Sequence, residues 1–328
     1  MRGVWRQLPR RLWQSVITVA LIMVINFVVV HAAPGDAAEV LAGESGTADP
    51  AVMEAMRTHL GLDKPLPVQF VLYVANLARL DLGLSLHNQQ PVLQLVLERL
   101  PATLLLMLPS LVLAFILGVG LGALAAMKVN RLADLIISVA ALAAYAMPLF
   151  WLGLMLIMIF TLKLGWLPSG GIAEIGVSRS FFGQGIDVLR HMVLPVLTLS
   201  LFYLASYAML MRSAMLEVSR ANFVRTARAK GISEGRVVWR HIIRNALLPV
   251  VTLLGLQIGA VLGGAVVVEV VFSWPGLGLL AFDAVFQRDT TVLLGLFFFC
   301  SLLVVAVNFC IDLLYAWLDP RVELGRVG

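Results

Sequence analysis

Six uncharged apolar runs, each long enough to cross a lipid bilayer as a helix, constrain this chain more than any other feature. They cover residues 12–30, 102–127, 135–162, 192–211, 245–268 and 290–311. A hydrocarbon layer about 30 Å thick takes about 20 helical residues and offers no partner to a peptide N–H or C=O. The runs are therefore expected to be helices. With 60% hydrophobic and 13% charged residues in 328, the chain has more apolar surface than one soluble core could bury. Pro109, Pro148, Pro195 and Pro249 are expected to mark kinks or helix starts within these spans rather than breaks. Cys300 and Cys310 share the last run, ten residues and so about 15 Å of helix apart, and read as buried thiols rather than a disulfide or a metal pair. Arg2, Arg6, Arg10 and Arg11 before the first run, with Ala32 and Ala33 after it, also resemble a secretory signal. The run is long for one, and its removal would leave an odd number of spans.

Basic residues select the orientation. An N-terminus on the cytoplasmic side puts Arg2, Arg6, Arg10, Arg11, Lys128, Arg131, Arg321 and Arg326 inside, with eight more between Arg212 and Arg244. The other loops carry eight basic residues, half as many, in nearly twice the length, accompanied by acids. The positive-inside rule then places both termini in the cytoplasm. The net charge of +5 follows from this topology and does not call for nucleic acid. Four segments result: 1–31, the N-terminus and first span; 32–100, an extracytoplasmic loop expected to form a small helical cap; 101–317, a core of five spans containing a cytoplasmic loop 212–248; and 318–328, a cytoplasmic tail. Trp166 suits the membrane interface, and residues 274–278, Trp-Pro-Gly-Leu-Gly, read as a tight turn.

Several chemistries are missing. A chain that hydrolysed its own ATP would need a glycine-rich phosphate loop, and no Gly-Lys dipeptide occurs. His31, His59, His87, His191 and His241 are scattered, without metal-ligand spacing. Ser85 sits in Gly-Leu-Ser-Leu-His, which lacks the last glycine of a nucleophile elbow. An ion-coupled carrier would be expected to hold carboxylates deep in its spans, whereas Asp134, Glu269 and Asp312 lie at run ends and read as interfacial or capping groups. Asn26, Gln257 and Asn308 lie deeper and read as interhelical hydrogen-bond partners.

Between the fourth and fifth runs, from Glu217 to Pro249, the sequence implies two helices. The first, 213–230, ends at Gly231, suited to a left-handed C-cap. Ser233 caps the second, which carries Arg236, Arg240 and Arg244 in one stripe before Pro249 opens the next span. Arginines alone would fit contact with anionic head groups. Two short helices with Phe223 and Trp239 among the charges fit a rigid element that fills a groove on a partner.

This segment resembles the coupling loop of the dipeptide/oligopeptide family of ABC importer permeases, which includes nickel and glutathione transporters. Further motifs occur in the family's order: Pro34-Gly35-Asp36, Leu60 to Leu66, Asp81-Leu82-Gly83 with Ser85, Pro101-Ala102-Thr103, Val224 to Gly231, Arg244 to Pro249, Phe272 to Gly278 and Asp319-Pro320-Arg321. Against the broader permease signature Glu-Ala-Ala-x-x-x-Gly, Arg225, Thr226 and Ala227 replace the opening triplet and Gly231 remains. The resemblance implies an all-α integral membrane protein with six spans in a type I importer permease fold, in a bacterial inner membrane. It implies a homologous second permease, two ABC ATPases that bind ATP and Mg, and an extracytoplasmic substrate-binding protein, with no catalytic, cofactor or metal site in this chain. Glu217, Phe223, Arg225, Thr226, Ala227, Ala229, Lys230, Gly231, Arg240, Asn245 and Pro249 are the expected ATPase-coupling residues. Short peptides are the expected cargo, with nickel, glutathione or another small solute as the alternative. Glycines of the fifth run (Gly255, Gly259, Gly263, Gly264) suit close helix approach.

Overall fold

The structure, a computed structural model, describes residues 2–32, 64–85, 87–174, 176, 180–264 and 266–318. Among the described residues, regular structure is helical apart from one isolated bridge between Leu84 and Pro91. In order these are α1 (Arg2–Ala32), α2 (Leu66–Ala78), α3 (Val92–Met127), α4 (Leu132–Ala146), α5 (Leu149–Leu156) with a π-helical continuation Ile157–Lys163, and α6 (Phe181–Ser219). Then follow α7 (Asn222–Ala229), α8 (Glu234–Val237), a π segment Val238–Ile243, α9 (Arg244–Gly264), α10 (Val266–Val271), α11 (Leu277–Phe286) and α12 (Thr290–Leu318). The motifs at 34–36 and 60–63, the tail from 319 and the surroundings of Gly259, Gly263, Gly264 and Asp312 lie outside the described residues.

Among the described residues, five helices are long and apolar enough to cross a membrane, and α4 with α5 makes a sixth if the pair counts as one span. That pair departs from the expected continuous third span. Its two halves are bent by 105° at Met147 and Pro148, both of which leave the helical region with ψ of 134° and 133°, the extended conformation that a proline favours in the residue before it. Pro101, Pro109, Pro195 and Pro249 stay inside continuous helices.

The chain forms two compact units, residues 1–98 with 281–328, and residues 99–280. In the first, α1 packs along α12, and α2 supplies helical structure within the 32–100 segment, its Phe70 meeting Phe27 edge-on at 5.2 Å. Ser85 donates to Asp289 at 2.7 Å, and Asp289 accepts the Val292 N–H at the start of α12. Cys300 is half-buried and Cys310 is exposed, so the expectation of two buried thiols fails for the second.

The second unit has two apolar clusters. One gathers Tyr207, Met211, Val224, Val237, Ile242, Ala246 and Val250 around the 212–248 segment. The other gathers Leu106, Met107, Leu194, Leu199, Phe272 and Trp274 toward the opposite ends of α3 and α6. Close approach is carried on the second span: a Cβ added to Gly118 would lie 2.6 Å from that of Tyr207, and one at Gly122 would meet the Ala208 carbonyl. Four residues apart, these glycines let α3 and α6 touch through backbone.

Glu269 is fully buried. It is a capping group, as its position suggests, but it caps a different helix and lies inside the protein. Its carboxylate accepts the Gly278 N–H at 2.7 Å and the Leu279 N–H at 3.0 Å. Thr103 donates to it at 2.8 Å and accepts the Leu277 N–H at 2.8 Å. The first three N–H groups of α11, orphaned by helix geometry, thus find acceptors on α10 and α3. Trp274, also fully buried, donates its indole N–H to the Ala102 carbonyl at 2.8 Å. A Cβ on Gly276 would collide with the Glu269 carboxylate, which explains glycine there.

Thr103→Val leaves the Leu277 N–H without an acceptor, at about 1–3 kcal/mol. The thermal unfolding midpoint of the detergent-purified protein should fall for Thr103→Val and hold for Thr103→Ser.

Candidate functional site

The 212–248 segment is shaped by where helices stop. α6 does not end before the loop but runs unbroken through Arg212, Ser213 and Glu217 to Ser219. The chain breaks at Arg220 and Ala221, whose N–H groups turn back to the Glu217 and Val218 carbonyls, and α7 starts at Asn222. The single helix expected over 213–230 is thus two helices. Glu217 belongs to the end of the span, and residues 222–229 form the separate short element.

Along α7, Val224 and Ala227 are buried in the apolar cluster below, three residues apart on one face. Phe223, Arg225, Thr226, Arg228, Ala229 and Lys230 are exposed on the other. Ala227 therefore anchors the helix and does not face outward. Thr226 donates to the Asn222 carbonyl at 3.0 Å, so its hydroxyl proton is used within α7.

Gly231 ends the helix as its position suggests. Its φ is +76°, the left-handed region. The Gly231 N–H bonds the Arg228 carbonyl at 2.9 Å and the Ile232 N–H bonds the Ala227 carbonyl at 3.3 Å, the paired bonds of a Schellman turn. No atom lies within 4 Å of a Cβ added at Gly231. The demand for glycine here is conformational, not steric.

Across this turn Arg228 and Glu234 form a bidentate pair, Nε to Oε2 at 3.0 Å and Nη2 to Oε1 at 2.6 Å. The Arg228 hydrogen bonds hold the Glu234 carboxyl below its usual value, and Glu234 raises Arg228. Ser233 occupies the N-cap position of α8, yet its side chain makes no capping bond.

From Glu234 the backbone stays helical through Pro249, with the π segment inserted at Val238–Ile243. The buried positions Val237, Ile242, Ala246 and Val250 are spaced five, four and four residues apart. The extra residue in the π turn is what keeps them on one face. Arg236, Arg240 and Arg244 remain exposed, and Trp239 projects with 74% of its surface free. Asn245 donates its side-chain amide to the His241 carbonyl, and Pro249 is exposed within α9.

Two further features escaped the sequence reading. A groove of about 430 Å³ runs beside Trp239, lined by Met127, Val129, Leu216 and Val238 with Arg228 and Glu234 at its polar side. Arg212 clasps Asp134 through two bonds of 2.6 and 2.8 Å. Asp134 also accepts the Asn130 N–H at 3.0 Å. This ion pair ties the end of α6 to the start of α4. Its only sequence sign was a carboxylate at the edge of an apolar run. Groups of three or more His, Cys, Asp or Glu able to hold a metal are absent among the described residues.

Comparison with known proteins gives this geometry a context. Residues 118–324 match the family model described as binding-protein-dependent transport system inner membrane component, and residues 4–107 match the N-terminal model of the same kind of protein. The di/tripeptide transport system permease protein DppB of Pseudomonas aeruginosa is 41% identical, over 97% of this chain and 99% of its own. The oligopeptide transport system permease protein AppB of Bacillus subtilis is 39% identical, over 96% and 98%. The glutathione transport system permease protein GsiC of Escherichia coli O6:H1 is 40% identical, over 96% and 97%. A solved structure of the MetNI methionine ABC transporter in inward-facing conformations superposes with a TM-score of 0.55 at 16% identity, covering 69% of this chain and 97% of its own. At that identity the likeness concerns the fold.

Because Glu234 has a lowered value in the folded chain, its pairing stabilises the turn at neutral pH and is lost as pH falls through that lowered value. Glu234→Gln should raise amide hydrogen exchange at Gly231 and Ile232 by about two- to five-fold at neutral pH, the scale of an exposed ion pair. In acid the difference from the parent chain should vanish.

Proposed function

The chain belongs to the family of binding-protein-dependent transport system inner membrane components, and on that premise we propose that it forms half of an ATP-driven import path for short peptides. In this reading both termini and the α7 surface face the cytoplasm. Two ATPase subunits bind ATP and Mg and dock on α7. A homologous second permease completes the path, and an extracytoplasmic binding protein delivers the solute. Relatives named for di/tripeptide and oligopeptide transport, each about 40% identical over almost the whole chain, support peptides as cargo. Glutathione is the second reading, because a glutathione permease is equally similar.

The observation that carries the coupling role is the two-faced construction of α7. Val224 and Ala227 fasten it to the core, while Phe223, Arg225, Thr226 and Lys230 stand exposed. Its far end is set by the Gly231 turn and the Arg228–Glu234 pair. A helix held at both ends moves as a body when a partner pushes it. Closure of an ATPase dimer would displace α7, and the displacement would pass through two residues into α6, a helix of 39 residues or about 58 Å. The Arg212–Asp134 clasp passes it on to α4. Alternating access by rocking of packed helices follows from such coupled bodies. Arg240, Asn245 and Pro249 lie on the return helix, so Arg240 and the exposed Trp239 flank the α7 contact and do not form its centre.

In proteoliposomes holding the whole importer, Gly231→Val should abolish peptide uptake while ATP hydrolysis continues without coupling, with the spans still inserted. Gly231→Asn, which tolerates the left-handed conformation, should keep part of the uptake. Parental uptake by Gly231→Val would refute the coupling role.

A further inference from the structure

The corner in the third span leaves polar groups where hydrocarbon would surround them. α4 has 15 residues, so at 1.5 Å per residue its end at Ala146 lies about 22 Å along the helix, well within a layer about 30 Å thick. There the path turns by 105° into α5. The Met147 N–H bonds the Ala143 carbonyl at 3.2 Å. The carbonyls of Ala144, Tyr145 and Ala146 and the N–H groups of Leu149, Phe150 and Trp151 have no hydrogen-bond partner among the described residues. Pro148 at the start of α5 offers no capping side chain.

Beside this corner Tyr145 is 54% exposed, and its hydroxyl has no hydrogen-bond partner among the described residues. Its ring lies nearly parallel to that of Phe202 on α6, with centroids 5.9 Å apart and planes 18° apart. Phe202 in turn meets Tyr203 edge-on at 5.4 Å. Phe150 and Trp151, just past the corner, are exposed as well.

Lipid cannot satisfy these groups, and irregular backbone at membrane depth is tolerated only inside protein or along a water-filled cavity. A covering helix would keep its own backbone groups bonded within itself, leaving six peptide groups and a phenol unmatched. Water satisfies all of them. We infer that the corner at Met147 and Pro148 lines the water-filled solute path, with Tyr145, backed by Phe202 and Tyr203, as a contact for the amide-bearing solute that passes. This rests on the peptide-import reading for the identity of the solute, but not for the path itself. An aromatic face packs against planar amides and aliphatic chains alike, which suits cargo of variable sequence, and the hydroxyl can donate to a peptide carbonyl.

The test is thiol accessibility in the complete importer in membrane vesicles, in a background carrying Cys300→Ala and Cys310→Ala. Tyr145→Cys and, as a second reporter, Phe150→Cys are treated with a membrane-impermeant methanethiosulfonate. Leu21→Cys, exposed on the unbroken α1, is the comparison. Labelling at the corner at least ten-fold faster than at Leu21→Cys, and slowed for Tyr145→Cys by a transported dipeptide, is the expected result. Labelling of both corner positions as slow as at Leu21→Cys would overturn the inference, and peptide uptake by the parent importer would then still uphold the import reading. Fast labelling with no dipeptide uptake by the parent importer and no dipeptide protection would uphold the water-filled path and refute the peptide contact and the peptide-import reading together.

Discussion

Hydrocarbon offers nothing to a peptide N–H or C=O, and that one deficiency organises the molecule. Every long apolar run becomes a helix because only a helix satisfies its own backbone. Where a helix must begin inside the protein, other side chains meet its orphaned groups. The start of α11 receives Thr103 and Glu269, and the indole of Trp274 reaches the Ala102 carbonyl. A buried carboxylate that accepts three hydrogen bonds is a tolerable burial, whereas an unpaired one would not be. The corner at Pro148 stands out because none of the described residues answers it.

The same requirement separates the two ends of the 99–280 unit. At one end polar groups converge inward on Glu269 and fix the turn at Trp274 against α3. At the other, polar groups point outward from α7 and the return helix, and the apolar faces of Val224, Val237 and Ile242 hold those elements down. The inward cluster makes a rigid end, while the outward array leaves exposed charge and aromatic surface for a partner. α6 runs between them without interruption, and the backbone contact at Gly118 and Gly122 keeps α3 against it.

Much of the α7 surface was legible because it depends on local rules. Gly231 marked a helix end by its freedom at positive φ, and the turn has the bonds that freedom permits. The break at Arg220 and Ala221 was not legible, since neither residue is a helix breaker and packing of Val224 and Ala227 decides where α7 starts. The π segment at Val238–Ile243 was equally hidden. Its signature is a burial spacing of five residues, which exists only once Val237 and Ile242 share a core. Residues 274–276 turn as the composition suggests while Leu277 and Gly278 already belong to α11, and the contact of Trp274 and Leu277 with Ala102 and Thr103 more than 170 positions away is a matter of long-range pairing.

The sequence by itself determined that the chain lives in a bilayer as helices, because apolar length and the absence of charge are local quantities with a threshold. It also determined the family, through ordered motifs, and the turn at Gly231, through the conformational freedom of one residue. Only the tertiary structure decided which polar groups meet. Glu269 looked like a group at the edge of a span and proved to cap a helix from inside the core. Asp134 looked similar and proved to clasp Arg212. The third run looked like one span and proved to turn a corner. In each case the outcome depends on partners distant in sequence or on a bend in three dimensions, which no local pattern of residue types encodes.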